Sequence, residues 1–362
     1  MAMSTVGRIA GLRGKLDEKG IDALFVSHPQ TRRYLSGFTG SAGYLLITAE
    51  DAVIATDFRY FDQAAEQASG FRLHPITQSL AETWVPGLLA GLGGKRVGVE
   101  AEHLPYAVYK RLAKVVADLP QAERPRLAAT TGLVETLRAI KEPEELAAIQ
   151  SAVDLGDAAF GHLSERLEPG WTEREAAWEI ERYMREHGGE AVSFETIVAG
   201  GAWGAMPHAF PRDRKLQAGE AIVIDLGVRR EGYCSDLTRT LFLGEPDDQF
   251  RRVYDIVLGT QLAALELIEA GMTGEEAHLL GERIIAEAGE SLEHGLGHGV
   301  GLEVHEAPRL GRGSSDVLAD GMVMTIEPGI YVKGWGGVRI EDLAVMENGR
   351  LRVLTRAPKT GQ

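Results

Sequence analysis

Residues 221–238 read AIVIDLGVRREGYCSDLT, an apolar run followed by a polar turn and a second short run. This pattern predicts a β-hairpin. We expect its turn to centre between Arg230 and Glu231. The acids Asp225 and Asp236 then lie directly opposite each other, or one residue out of register if the turn carries a bulge. Carboxylates that close destabilise a strand pair unless a positive charge lies between them. The hairpin therefore predicts a divalent cation, with two solvated acids on an exposed hairpin as the alternative.

A second segment, residues 294–306, reads HGLGHGVGLEVHE and holds three of the ten histidines, His294, His298 and His305. Its four glycines imply close backbone approach or unusual dihedral angles, as expected where a chain wraps around a site. This density favours a functional site over isolated structural histidines. The spacing alone does not decide which imidazole binds a metal.

A third segment, residues 324–343, reads MTIEPGIYVKGWGGVRIEDL and predicts another hairpin. Glu327 and Glu341 stand in apolar strand surroundings, where a buried carboxylate shifts its pKa or finds a cation. Four carboxylates and one neutral imidazole carry four negative charges, which two divalent cations cancel. An oxygen-rich ligand set with one nitrogen suits Mn²⁺, with Co²⁺ or Zn²⁺ as alternatives.

The composition narrows the class of protein. The chain has 362 residues, with 38 Lys and Arg against 53 Asp and Glu, which gives a formal charge of −15. An acidic surface repels phosphate backbones, so nucleic acid is not an expected partner. The single cysteine, Cys234, excludes an internal disulfide and fits the cytoplasm. We find no signal-peptide core at the start and no stretch of ~18 apolar residues, so no membrane association is expected.

The order of helix and strand signals predicts two domains. Strand signals at 23–26, 44–47 and 52–55 alternate with helical ones and predict a mixed α/β N-terminal domain. A polar, proline-containing stretch at 121–126 places the boundary near Thr130. The predicted domains are therefore residues 1–130 and 131–362.

The sequence of the second domain predicts helix pairs that alternate with strands. A long helix is expected from Pro143 to about Leu167, and two capping-box spacings, Thr172 with Glu175 and Thr273 with Glu276, mark further helix starts. Strand-rich segments at 221–243 and 322–354 follow the helical regions 143–187 and 247–288. This order predicts a duplicated α+β layout.

Taken together, these motifs resemble the metallopeptidases of the pita-bread fold, and most closely the Xaa-Pro aminopeptidases and Xaa-Pro dipeptidases (prolidases). The resemblance rests on the Asp225 to Asp236 hairpin, the histidine-rich segment, Glu327-Pro328-Gly329 and Arg339-Ile340-Glu341. It extends to YLSGFTGS at 34–41 and TDFRY at 56–60, which resemble a creatinase-type N-terminal domain. The implied fold class is α+β, with a pita-bread catalytic domain of duplicated helix pairs and a curved antiparallel sheet, preceded by a smaller creatinase-like mixed α/β domain.

The resemblance also implies roles for individual residues. Two divalent metal ions are expected on five ligands, Asp225, Asp236, His298, Glu327 and Glu341. Glu327 is further expected to move a proton from water to the leaving nitrogen. Contacts to the substrate or the tetrahedral intermediate are expected from His208 and His305. The remaining expected contributors are His294 in the proline pocket, with Tyr331 and Arg339 supporting the site and the substrate end.

The implied reaction is hydrolysis of the peptide bond before proline. The motif at 37–41 and the pattern at 57–60 favour an Xaa-Pro aminopeptidase acting on small peptides with proline at the second position. An Xaa-Pro dipeptidase is the alternative. A noncatalytic or creatinase-like protein of the same fold is a distant alternative, because such proteins do not keep all five ligands. The resemblance further implies a homodimer.

Overall fold

The computed structural model describes residues 5–359, and the chain divides into two compact units, Met1–Arg138 and Ala139–Gln362. The helices of the N-terminal unit are α1 (Thr5–Lys19), α2 (Pro29–Ser36), α3 (Phe61–Gln67), α4 (Ala81–Leu88), α5 (Tyr106–Asp118) and α6 (Glu135–Arg138). Its strands are β1 (Ala23–Val26), β2 (Tyr44–Thr48), β3 (Ala52–Asp57), β4 (Arg72–Ile76), β5 (Arg96–Glu100) and β6 (Arg126–Thr130).

These six strands form one mixed sheet in the order β4-β3-β2-β1-β5-β6. Central strand β1 is buried along its whole length and pairs antiparallel with β2 and parallel with β5. The three strands predicted for this region are confirmed, because each is a short apolar run between turn signals. The sequence-based boundary near Thr130 coincides with the end of β6, and the contacts divide the chain after Arg138.

The C-terminal unit contains four long helices and thirteen short strands within the described residues. The helices are α7 (Pro143–Ser164), α8 (Glu173–Glu186), α9 (Asp248–Leu267) and α10 (Gly274–Glu287). The first strands are β7 (Ala191–Val192), β8 (Ile197–Gly200), β9 (Ala221–Leu226), β10 (Val228–Arg230), β11 (Tyr233–Cys234) and β12 (Leu237–Phe242). The others are β13 (Gly297–Gly299), β14 (Glu306–Leu310), β15 (Val323–Ile326), β16 (Gly329–Val332), β17 (Gly336–Arg339), β18 (Asp342–Glu347) and β19 (Arg350–Val353).

The predicted helix starts are confirmed in their capping geometry. Thr172 accepts a hydrogen bond from the backbone N–H of Glu175, and the Glu175 side chain closes the box onto Thr172. Thr273 and Glu276 do the same at the start of α10. Such reciprocal bonds satisfy backbone donors that a helix leaves unpaired at its first turn.

The duplicated layout is also confirmed. Helices α7 and α8 bury apolar side chains against β8 and β9, including Phe160, Ile180 and Ile224. Helices α9 and α10 do so against β15 and β18, including Ala264 and Met324. Each helix pair thus covers an antiparallel sheet that leads into a hairpin. Among the described residues, no helix is both long and apolar enough to cross a membrane.

Candidate metal centre

The first hairpin places two acids on one face of its strands, in a register that differs from the prediction. Asp225 pairs with Thr238, two residues beyond Asp236. The turn is centred between Glu231 and Gly232, which both have positive φ (53° and 80°) and form the tight two-residue loop that suits antiparallel strands.

The two acids of this hairpin are therefore diagonal neighbours. Because side chains alternate along a strand, Asp236 lies on the same face as Thr238 and hence on the same face as Asp225. Diagonal neighbours across a strand pair lie about 7–8 Å apart, which leaves room for an ion between carboxylates. The correction to the register keeps both acids available to one site.

The second hairpin brings its two glutamates directly across from each other. Strands β15 and β18 pair Ile326 with Asp342, and strands β16 and β17 pair Gly329 with Arg339. The register is the same on both sides of the gap, so Glu327 faces Glu341. Unlike the aspartates, these two acids stand in the opposed arrangement in which like charges repel most strongly.

Hydrogen bonds fasten the two hairpins together beside these acids. The backbone N–H of Glu341 donates to the carbonyl of Thr238 at 3.1 Å, and the Thr238 hydroxyl donates to Oε2 of Glu341 at 2.6 Å. Two residues further along the same strand, the hydroxyl of Thr240 donates to the Arg339 carbonyl at 3.0 Å. The position of Glu341 is therefore fixed through both its backbone and its carboxylate.

The histidine-rich segment enters the site on the short strand β13. A side chain at Gly297 would come within 2.0 Å of the Thr325 carbonyl, and one at Gly299 within 2.1 Å of the Ala307 carbonyl. Only glycine fits so close to neighbouring backbone. These glycines let β13 lie against β14 and β15 and carry His298 into the acidic group.

His298 lies among the carboxylates of both hairpins. One ligand atom from each of Asp236, His298 and Glu341 falls within 4.8 Å of the other two. The Nε2 atom of His298 is 3.3 Å from Oε1 of Glu327 and 3.7 Å from Oδ2 of Asp236. Several carboxylates together with one imidazole nitrogen form a donor set that suits a divalent transition metal. The residues present therefore fit a bound cation.

The electrostatics of this group point the same way. Burial, together with the charges of Glu341, Asp225 and Glu327, raises the pKa of Asp236 well above its ordinary value. Burial and the charges of Glu327 and Asp225 likewise raise the pKa of Glu341, and burial with the charge of Asp225 raises that of Glu327. A bound cation would stabilise the ionised form of these clustered acids, whose pKa values are all raised in its absence.

Asp225 meets the site differently from the other acids. Its Oδ2 atom accepts a hydrogen bond of 2.5 Å from Nη2 of Arg339, and its Oδ1 atom is buried with no hydrogen-bond partner among residues 5–359. A buried carboxylate oxygen without a partner is costly and is satisfied by a water or an ion. One oxygen of Asp225 is thus held by Arg339, and the other is available to a cation.

Arg339 connects Asp225 to a chain of aromatic and imidazole groups. Its Nη1 atom donates to the Tyr331 hydroxyl at 2.7 Å, and that hydroxyl lies 3.0 Å from Nε2 of His294. Burial alone lowers the pKa of Arg339, but Tyr331, Asp225 and the glutamates hold it well above its ordinary range. Arg339 is therefore a permanent cation at the edge of the acidic group.

The remaining histidines differ in how closely they approach the site. The ring of His305 packs edge-on against His298 with centroids 4.2 Å apart, and partial burial with the neighbouring His298 lowers the pKa of His305 to about 4. Burial also lowers the pKa of His294 and of His298. His208 is exposed, on the segment whose Pro207 carbonyl accepts a hydrogen bond from Arg339 at 3.2 Å.

Sequence reasoning missed two residues that shape the site, Thr238 and Arg239. Thr238 bonds to Glu341, and buried Arg239 donates from Nη1 to the Glu341 carbonyl at 2.5 Å. A signal for Thr238 is present, because it stands two residues after Asp236 and so shares its face of the strand. Arg239 points to the opposite face, where nothing in the local sequence identifies its partners.

Two family models match the chain. The model for metallopeptidase family M24 matches residues 147–348, and the model for the creatinase/prolidase N-terminal domain matches residues 8–140. The first match contains all five acids and histidines expected to bind metal. The second corresponds to the unit with the mixed six-stranded sheet.

Proteins of known name are similar over nearly the whole chain. An Xaa-Pro dipeptidase from Bacillus anthracis superposes with a TM-score of 0.93 at 39% identity, over 99% of each chain. An Xaa-Pro dipeptidase of Pyrococcus horikoshii is 36% identical over 93% of this chain and 94% of the relative. An X-Pro aminopeptidase from Thermotoga maritima superposes with a TM-score of 0.86 at 32% identity, over 96% of this chain and 99% of that one.

Proposed function

The chain belongs to metallopeptidase family M24, and we propose that it is an Xaa-Pro dipeptidase that hydrolyses the bond between an N-terminal residue and a C-terminal proline. The observation that carries the proposal is the group of Asp236, His298 and Glu341, whose ligand atoms lie within 4.8 Å of one another in the unit that matches the family. The names of two of the similar proteins support the dipeptidase.

The proposed ligands are the five residues expected from the sequence, Asp225, Asp236, His298, Glu327 and Glu341. Two divalent cations held by these residues would supply a water of lowered pKa and polarise the substrate carbonyl. We propose Mn²⁺ as the physiological ion because four of the five ligands are carboxylates. The homodimer stays a prediction.

Glu327 is the proposed proton carrier. Its Oε1 atom accepts a hydrogen bond from the Thr325 hydroxyl at 3.1 Å, which fixes the direction of the carboxylate. Burial raises the pKa of Glu327, and a carboxyl group shifted toward neutral pH both accepts and returns a proton more readily. These properties suit transfer of a proton to the nitrogen of the departing proline.

His305 and His208 are the proposed donors to the developing oxyanion. Because the pKa of His305 is about 4, its imidazole is neutral at physiological pH and carries one N–H to donate. Loss of one such donor typically lowers the rate by ~10²–10³-fold. His208 follows Pro207 and is exposed, so its imidazole is accessible to a substrate.

Arg339 is proposed to support the site without binding the substrate itself. Four of its five N–H groups are already donated, to Thr238, Pro207, Tyr331 and Asp225. His294 has its ring against the Tyr331 hydroxyl and is partly exposed, so it is the member of this chain proposed to line the proline pocket.

Proline explains why a dedicated enzyme is needed. A bond to the proline nitrogen has no N–H and a fixed φ, so peptidases that recognise that donor in an extended substrate lose it. A site that holds the substrate carbonyl and receives the proline ring in a pocket does not need that N–H. This consideration favours proline peptides over other small peptides.

An Xaa-Pro aminopeptidase is the second candidate, and it was the one favoured by the sequence motifs at 37–41 and 57–60. The similar protein from Thermotoga maritima that is named as an X-Pro aminopeptidase supports this candidate. The two higher-identity relatives named as dipeptidases fit the alternative better. The two activities differ only in whether a residue follows proline in the substrate.

A peptide panel tests the proposal. Ala-Pro, Ala-Pro-Ala and Ala-Ala are incubated with protein loaded separately with Mn²⁺, Co²⁺ or Zn²⁺, and released amino acids are measured. We expect release of proline from Ala-Pro, fastest with Mn²⁺, and little cleavage of Ala-Ala. Cleavage of Ala-Pro-Ala with Ala-Pro untouched identifies the aminopeptidase instead. No cleavage of either proline peptide overturns the proposal.

A further inference from the structure

A cavity of about 340 Å³ lies in the N-terminal unit, among α2, α4, β2 and β3. Its wall includes Ser27, Arg32, Ser41, Tyr44, Ser79 and Trp84. This volume is in the range that small-molecule sites occupy in proteins, ~300–1,000 Å³. None of the residues proposed for catalysis lines it.

Arg32 contributes a buried charge to this wall. Only 3% of the residue is exposed. Its Nη1 and Nη2 atoms donate to the carbonyls of Gly43 and Gly40, both at 2.6 Å, and its Nε atom is buried without a hydrogen-bond partner. Three of its five N–H groups therefore have no acceptor among the described residues. A buried guanidinium is normally paired with an anion.

Nearby acids do not supply that anion. Asp57, which also lines the cavity, receives two bonds of 2.8 Å from Arg59. Oε2 of Glu100 accepts the backbone N–H groups of Ser27 and His28 at 2.6 and 2.8 Å. Among the described residues, neither carboxylate forms a salt bridge with Arg32, although Asp57 contributes a negative charge to the same wall.

Other buried arginines of the protein show what is missing. Arg239 pairs with Asp342 at 2.7 Å, and Arg339 pairs with Asp225 at 2.5 Å. Arg32 donates to two carbonyls and lies over the Phe38 ring, 5.6 Å from its centroid, but forms no salt bridge among the described residues, and burial lowers its pKa. An anion in the cavity would give Arg32 the kind of partner that the other two already have.

Part of the cavity wall is aromatic and apolar. The rings of Tyr44 and Trp84 stack with centroids 5.1 Å apart, and Ile76 lies beside them in the wall. A bare inorganic anion would leave this aromatic surface without a partner. A ligand that joins one carboxylate to an apolar body satisfies both sides, because the aromatic surface gains contact while the guanidinium gains a charge partner.

We propose that this cavity binds a small organic carboxylate with a branched or aromatic apolar body, held by Arg32 at its carboxylate and by Tyr44 and Trp84 at its body. The carboxylate can belong to a free acid, an amino acid or the C-terminus of a short peptide. This chemistry is separate from peptide hydrolysis, so the inference stands whether or not the proposed function is correct.

The test measures binding by isothermal titration of three probes, 4-methylpentanoate, leucine and glycyl-leucine, with leucinamide as the probe that lacks a carboxylate. The protein carries Asp236→Asn so that hydrolysis does not interfere. We expect saturable binding of at least one carboxylate probe and none of leucinamide. The preferred probe identifies the source: free acid, amino acid or peptide terminus.

Two variants locate the binding. Arg32→Gln should weaken it by about tenfold or more, as expected for loss of hydrogen bonds to a charged group. Because Arg32 also holds two glycine carbonyls, a second variant, Ser79→Trp, places a bulky ring at the exposed rim while keeping Arg32. Ser79→Trp should also abolish binding, and Gln78→Trp, one residue away and outside the wall, should not.

Three results overturn the proposal. These are no binding of any carboxylate probe at millimolar concentration, binding that survives Ser79→Trp unchanged, and equal binding of chloride or phosphate. Circular dichroism and the thermal midpoint of each variant establish that it is folded before its titration is interpreted.

Discussion

The Thr238 hydroxyl donates a 2.6 Å hydrogen bond to Oε2 of Glu341. The same hydroxyl accepts a bond of 3.1 Å from Nε of Arg339. Thr238 therefore joins the first hairpin to Glu341 of the second hairpin. Through the same hydroxyl it also links Glu341 to the buried guanidinium of Arg339. Groups that orient a metal ligand in this way tune its affinity for the metal.

Thr238→Val is predicted to weaken metal binding. Valine keeps the shape of the side chain but leaves Glu341 without its donor and Arg339 Nε without its acceptor. We expect metal affinity to fall by ~10–100-fold, measured by competition with a chromophoric chelator. Thr238→Ser, which keeps the hydroxyl, should bind nearly as the wild type does. A valine variant with wild-type affinity would show that the bond does not orient Glu341.

Asp236→Asn is predicted to lower bound metal and activity together. The substitution removes a charged ligand atom from the group with His298 and Glu341. Metal per chain is measured after dialysis, beside hydrolysis of a proline dipeptide. Glu347→Gln is the control, since that exposed acid pairs only with Arg352 among the described residues. A variant that retains both metal and activity contradicts the assignment of the site.

The buried pair Arg239 and Asp342 is predicted to matter far more for stability than an exposed pair does. Asp342 is fully buried and binds Arg239, Lys359 and the Thr355 hydroxyl. Arg239→Met leaves this carboxylate short of a partner, and we expect the free energy of unfolding to fall by about 3–5 kcal/mol.

Urea denaturation measures this loss, with Arg352→Met as the control. Arg352 and its partner Glu347 are about half exposed, at 51% and 49%, so the control should change the free energy of unfolding by less than about 1 kcal/mol. Equal losses in the two variants would mean that burial of the pair contributes nothing beyond what a surface pair does.

His278 is predicted to make stability sensitive to acid. Burial lowers its pKa, so the folded protein favours the neutral ring while the unfolded chain titrates near its ordinary value of about 6.5. The unfolded state then binds more protons as pH falls below that value. Stability from this group is present above about pH 6.5 and is lost as pH falls toward the folded pKa.

The variant His278→Leu removes this contribution. We expect its free energy of unfolding to depend less steeply on pH than that of the wild type between about pH 7 and pH 5. Urea denaturation at a series of pH values gives the two slopes. Parallel curves would show that His278 is not the group whose protonation destabilises the fold.

The sequence was sufficient to predict helix starts and short strands, because these features depend on interactions between residues close together in the chain. The boxes at Thr172 and Thr273 were predictable because an N-cap hydroxyl and a carboxylate three residues later satisfy backbone donors within one turn. The short strands β1, β2 and β3 were predictable because each is an apolar run between turns. Neither prediction depends on distant parts of the chain.

The hairpin register shows where such reasoning stops. The turn was expected between Arg230 and Glu231 and lies between Glu231 and Gly232. Glycine readily takes the positive φ that this turn needs, and the one-residue shift of the turn moves each pairing by two residues. Asp225 therefore faces Thr238 instead of Asp236.

By itself, the sequence determined which elements form and which family the protein resembles, and it supplied the acids and histidines that are proposed to carry the chemistry. The tertiary structure decided which atoms meet. It turned one oxygen of Asp225 to Arg339, set Glu327 across from Glu341 and made Thr238 a support. The contacts of Asp225 with Arg339 and of Thr238 with Glu341 join segments about a hundred residues apart, and their geometry depends on how the sheets pack, which no local pattern encodes.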